Sequence, residues 1–105
     1  MTEGIIWIRR AAESGHTLAQ FNLGFLYYTG KGIEQDYTKA AVWFRKAAEA
    51  GDTAAQFNLA ICYYYGNGVI ADRDETVFWL RRAAESGHAG AAKLLTDMAE
   101  QPSTF

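Results

Sequence analysis

Three tryptophans, Trp7, Trp43 and Trp79, fall 36 residues apart, and the segments they open are nearly alike: WIRRAAESGH, WFRKAAEAGD and WLRRAAESGH. The likeness runs on, because TLAQFNLGFLYYTGKG at 17–32 returns as TAAQFNLAICYYYGNG at 53–68. A fixed period of roughly 20 to 50 residues marks an array, in which one supersecondary unit stacks on its copies to bury a shared core. Apolar residues and alanines recur here at helical rather than alternating spacing, so the unit is helical and the chain all-α.

Glycines punctuate the unit. Gly15, Gly51 and Gly87 each close an alanine-rich stretch of good helix formers, where a residue that tolerates positive φ ends a helix. Short His-Thr, Asp-Thr and His-Ala pairs follow, with Asp52 or Thr53 as the expected N-cap of one helix. Connections this short make neighbouring helices antiparallel. Gly30-Lys31-Gly32 and Gly66-Asn67-Gly68 mark a longer loop that sends Ile33 or Val69 toward the core, after which Asp36 and Asp72 cap the next helix. Asp72 with Glu75 has the spacing of a capping box. The predicted helices are 4–14, 17–29, 36–50, 53–65, 72–86 and 89–100, in a single domain spanning 1–105. It divides into a half repeat (4–16), two whole repeats (17–52 and 53–88) and a second half repeat (89–100).

Composition narrows the function. Half of the 105 residues are hydrophobic and 14% aromatic, which is inconsistent with disorder. A net charge of −2 and a pI near 5.6 argue against nucleic acid as a partner, since phosphate binding needs clustered Lys and Arg. The apolar run Ile5–Ile8 is too short for a membrane span or secretory signal, so no membrane insertion is expected. The lone Cys62 leaves no internal disulfide and is read as a small apolar residue packed inside a helix. A soluble, cytoplasmic protein is expected, with a removed signal peptide or a longer parent chain left open.

Catalytic motifs fail one by one. Gly30-Lys31-Gly32 is not a phosphate-binding loop, because Ile33 and Glu34 stand where that motif continues with other residue types. Gly66-x-Gly68 lacks the third glycine and preceding strand of a dinucleotide fingerprint. No S-x-x-K follows Ser14, Ser86 or Ser103. His16 and His88 lie two repeats apart, too far to share a metal, and each reads as a solvent-facing turn residue. Asp72-Arg73-Asp74-Glu75 lacks calcium-loop spacing and reads as a solvated helix start complementing the dipole. No enzyme activity, cofactor or metal is expected.

Ala19-Gln20, Leu23-Gly24, Tyr27 and Gly30-Lys31-Gly32 occur in the order of a known pattern, followed by an aspartate-started helix with WFRKAAEAG. From about residue 5 to 99 the chain resembles the Sel-one-like repeat family, a relative of the tetratricopeptide repeats. It departs at Ala60, the counterpart of Gly24, and after Ala91, where Ala92, Lys93 and Thr96 replace Gln20, Phe21 and Gly24. The resemblance implies a right-handed α/α superhelix of antiparallel helix pairs, about six helices in all. It also implies a non-catalytic scaffold or adaptor that holds a peptide or partner protein on its concave face. Mapped onto this chain, the implied partner-binding residues are Leu18, Phe21, Asn22, Phe25 and Tyr28 in one unit. Phe57, Asn58, Ile61 and Tyr64 follow in the next, with Lys93 and Asp97 on the last helix.

Two readings of this strip stand side by side: aromatics and asparagines offered to a peptide, or aromatics packed on neighbours with the asparagines tying helix to loop. The paired alanines, such as Ala47 and Ala48, are read as close helix contacts and the three tryptophans as fillers between units. Leu23 with Tyr27 and Leu59 with Tyr63 would join the two helices of each unit. The array begins with a second-type helix and ends with a first-type one, leaving Ile5, Ile6 and Ile8 incompletely covered. Excision from a longer array, or a monomer that weakly associates through its terminal helices, would account for such an apolar end. The tail Gln101–Phe105 is expected to fray, with Pro102 stopping the last helix.

Overall fold

The computed structural model describes residues 3–100, and the expectations for the tail lie outside them. Among these residues the chain is helical: α1 (Glu3–Glu13), α2 (Thr17–Thr29), α3 (Tyr37–Glu49), α4 (Thr53–Tyr65), α5 (Arg73–Glu85) and α6 (Ala89–Glu100). Each helix packs chiefly on its neighbours in sequence, most closely α2 on α3 and α4 on α5. Stacking of this kind extends the molecule along one axis, to 46 × 25 × 17 Å.

Local chemistry sets the helix ends. Asp36, Asp52 and Asp72 accept from the backbone N–H groups of Lys39, Ala55 and Glu75, meeting donors that a helix start leaves orphaned. The expected capping box at Asp72 is half made. Glu75 accepts from Trp79 Nε1 at 3.2 Å instead of reaching back, and the Asp72 N–H is already donated to the Tyr63 carbonyl. Gly15, Gly51 and Gly87 adopt φ of 95°, 100° and 96° at the tight turns, where an L side chain would be strained.

The alanines explain the closeness of the stack. Ala40, Ala47, Ala48, Ala55, Ala60, Ala83 and Ala91 are fully buried, around Leu23, Phe44, Leu59 and Leu80. The Ala-Gln element also pins each unit to the preceding helix, since Gln20 donates to the Ala12 carbonyl and Gln56 to the Ala48 carbonyl, both at 3.2 Å. These are buried bonds, where an unpaired partner is costly.

Two expectations about the core need correction. Trp79 is buried between helices and the half-buried Trp43 packs against the core, but Trp7 is 60% exposed, because α1 packs chiefly on α2 and leaves its other side open. Arg10 and Lys46 instead lie over the Trp7 and Trp43 rings, at 5.4 and 5.7 Å. The apolar N-terminal surface is also smaller than expected, since Ile5 is buried and only Ile6 of the three isoleucines is exposed.

Candidate functional site

Helices α2 and α4 contain no charged residue, reading TLAQFNLGFLYYT and TAAQFNLAICYYY. One stripe of each packs inward through Leu23 and Leu59, and the residues one position earlier and two later in sequence turn to the opposite side. Between them lies a recess of about 190 Å³ lined by Phe25, Tyr28, Phe44, Phe57, Asn58 and Ile61. Five of these six belong to the expected partner-binding set; Phe44 is the addition.

Phe44 reaches the recess floor because α3 comes very close to α2. A methyl group on Gly24 would sit 2.8 Å from Phe44 Cδ1, so the absent side chain is what admits the ring. The signal for this was present in the Leu-Gly element, but which ring would fill the gap is decided by packing. Around Phe44 the rings form a continuous series, Phe25 to Phe21 at 6.3 Å, Phe21 to Phe44 at 5.9 Å, Phe44 to Tyr28 at 6.1 Å and Tyr28 to Tyr37 at 4.9 Å. Offsets and tilts of this kind suit the ring quadrupoles. The Tyr28 hydroxyl accepts from Asn67 Nδ2 at 3.0 Å, which ties the second loop to the first unit. Burial pushes the Tyr28 phenol above its usual range, and the Asn67 bond partly opposes this.

The remaining expected residues divide. Phe25 is 42% and Leu18 57% exposed, while Phe21, Asn22, Phe57, Asn58, Ile61 and Tyr64 are half-buried. Leu18, Phe21, Asn22 and Tyr64 lie outside the recess lining, Phe21 as support for Phe25 and Phe44, and Tyr64 edge-on to Tyr65 at 4.9 Å. Lys93 and Asp97 are not brought to the recess; they pair with each other at 3.4 Å on the surface of α6. Among the described residues the side-chain amides of Asn22 and Asn58 have no hydrogen-bond partner. They do not tie helix to loop.

His16 is exposed in its turn as expected and His88 is half-buried, and both take on a role not expected from the sequence. His16 Nδ1 accepts from Ala19 N–H and His88 Nδ1 from Ala91 N–H, so each caps a helix as Asp52 does. His88 further stacks on Phe57 with ring centroids 4.4 Å apart, placing it at the back of one recess wall. Among the described residues no group of three His, Cys, Asp or Glu side chains could hold a metal ion. Cys62 is fully buried, and desolvation pushes its thiol up to about 11, which makes it a packing group with little thiolate character. No helix among the described residues is long and apolar enough to cross a membrane.

Helix pairs repeated at 36 residues, with a buried Ala-Gln and a close Leu-Gly contact, are matched by a family model for the Sel1 repeat at residues 1–16, 17–52 and 53–88. The chain belongs to the Sel1 repeat family. Repeats of this family are in general protein–protein interaction modules on a non-catalytic, tetratricopeptide-like scaffold. The crystal structure of a Sel1 repeat protein from Oxalobacter formigenes superposes with a TM-score of 0.87 at 41% identity, over 89% of this chain and 27% of that one. A protective antigen of uropathogenic Escherichia coli displaying an SLR fold gives 0.79 at 48% identity, over 81% of this chain and 18% of that one. The cysteine-rich protein B of Helicobacter pylori gives 0.80 at 26% identity, over 86% and 68%. This chain thus spans well under a third of the length of the first two proteins. None of the functionally curated proteins matches it in sequence.

Proposed function

We propose that this Sel1 repeat chain is a scaffold or adaptor segment that holds a peptide or partner protein against the α2/α4 face. The observation that carries the reading is the recess itself: a charge-free, aromatic-walled cleft between equivalent helices of two units, with the half-buried Asn58 amide in its lining unpaired among the described residues. A cleft of this make-up suits a partner's apolar side chain flanked by a few oriented polar contacts. Selecting ligands from a displayed random-peptide library tests it. The selected peptides are expected to lose about tenfold or more in affinity for Phe25→Ala, a change at a partly exposed position that leaves the fold intact, and to bind Arg82→Ala normally. Peptides that lose affinity only for Arg82→Ala would place binding on the other side of the molecule and reject the reading.

A second reading, weak self-association through the terminal helices, draws on Ile6 and Trp7, which are 42% and 60% exposed on α1. Sedimentation over a hundredfold concentration range decides it. A single monomeric species throughout would remove this alternative.

A further inference from the structure

Resting on the α2/α4 reading, we infer that the segment this face takes is an extended, uncharged, proline-containing peptide in the polyproline II conformation. Three independent features of the face select against other occupants. The first is charge. With no ionisable Lys, Arg, Asp or Glu on α2 or α4, a carboxylate or ammonium carried into the recess would be desolvated without a counter-charge, so the contacting ligand residues are neutral.

The second feature is the pair of amides. Asn22 and Asn58 occupy equivalent positions in successive units, are half-buried, and have no partner among the described residues. Each can donate to a carbonyl and accept from one N–H, so the pair serves only a few backbone groups of a ligand. A helical ligand has its carbonyls engaged internally. A β-strand ligand would need a sheet edge to receive its N–H groups, and the described residues contain no strand. A polyproline II segment leaves its carbonyls free, and each proline removes an N–H that would otherwise go unpaired on this apolar wall.

The third feature is shape and spacing. Phe25 and Tyr28 from α2 and Phe57 and Ile61 from α4 line the recess above the Phe44 floor. Aromatic-lined grooves are the usual seat of this preformed, low-entropy helix. The recess of about 190 Å³ exceeds the roughly 150 Å³ that accommodates a benzene ring, so a prolyl ring with a neighbouring methylene or a leucyl side chain fits. A polyproline II segment advances about 3 Å per residue, so a few residues carry it from the α2 side of the recess to the α4 side.

The test is amide chemical-shift titration of the chain with two blocked peptides of similar length: Pro-Pro-Leu repeats, and a helix-forming sequence of Ala, Leu and Gln. The proline peptide is expected to move the amides of Phe25, Tyr28, Phe57 and Asn58. Its affinity should fall about tenfold in Phe25→Ala and about fivefold in Asn58→Ala, and change less than about twofold in Arg82→Ala. Phe25 is partly exposed and the Asn58 side chain has no hydrogen-bond partner among the described residues, so both variants fold, which circular dichroism verifies. Unmoved recess amides at millimolar proline peptide overturn the inference, as does equal affinity of the wild type and both variants. If the helix-forming peptide alone moves the recess amides, the inference falls while the α2/α4 reading stands. If neither peptide moves them, the inference falls and the library selection above judges the parent reading separately.

Discussion

The two whole units differ less in backbone than in what they line. Helices α2 and α4 have the same length, both end in a left-handed glycine, and each sends a glutamine to the carbonyl of the helix before. Yet the first unit builds a wall from Phe21, Phe25, Phe44, Tyr28 and Tyr37, whereas the equivalent residues of the second are Phe57, Ile61, Leu80, Tyr64 and Arg73. The core pair changes together, Gly24 with Phe44 in one unit and Ala60 with Leu80 in the other, conserving volume as a close-packed interior requires. What repeats makes the stack; what fails to repeat makes the surface.

The largest test of this comparison concerns the loop glycines. Gly32 and Gly68 are equivalent and adopt φ of 74° and 75°, but a Cβ on Gly68 would run into the Tyr37 carbonyl, whereas one on Gly32 would press only on the end of the Ile5 side chain, at 3.0 Å. Gly68→Ala is expected to destabilise by about 3 kcal/mol or more and Gly32→Ala by about 1 kcal/mol, read from denaturant unfolding. Equal losses would show that the second loop can withdraw from α3.

Gly24→Ala comes next, with an expected loss of about 1 to 3 kcal/mol from overpacking against Phe44. Combining it with Phe44→Leu imitates the second unit. The double variant should be more stable than the sum of the single changes by about 1 kcal/mol; strict additivity would mean that the two sites do not share space.

The units also differ at Cys62, whose counterpart is Leu26. The buried native thiol holds its proton up to about 11, against 9.0 for an ordinary thiol, so between these values the native state binds more protons than the unfolded chain. Its contribution is therefore complete below about 9 and is lost as pH rises toward 11, by roughly 2 kcal/mol. The raised Tyr28 phenol acts in the same direction. Thermal melts of the wild type should fall more steeply over this range than those of Cys62→Ala. Parallel slopes would show the thiol to be solvated.

The smallest expected effect is a gain. His16 caps α2 where Asp52 caps α4, and a carboxylate adds a favourable interaction with the helix dipole. His16→Asp should stabilise by about 0.5 to 1 kcal/mol in low salt, and this gain should shrink as salt screens it. The same change at His88 would also remove the ring stacked on Phe57, so position 16 is the cleaner comparison.

Much of the architecture is legible in the chain itself. Helix starts and stops follow from Asp36, Asp52, Asp72 and the turn glycines because capping and positive φ are local properties, satisfied within a few residues of chain. Five of the six recess residues are also legible, since a helix that buries Leu23 and Leu59 must turn Phe25, Phe57 and Asn58 elsewhere. The exposure of Trp7 is only partly so: the opening half repeat marks α1 as incompletely covered, but which of its side chains stays open is set by how α1 rests on α2.

The sequence by itself determined the unit, its length, its all-α character and its place in the Sel1 repeat family, all consequences of periodicity and local chain chemistry. Tertiary structure alone decided that Phe44 floors the recess, that Asn22 and Asn58 stay unpaired among the described residues, that Lys93 and Asp97 turn to each other, and that Glu75 bonds Trp79. These depend on which atoms from distant segments arrive at one place first. Close packing and hydrogen-bond competition settle that order, and neither is written in any single repeat.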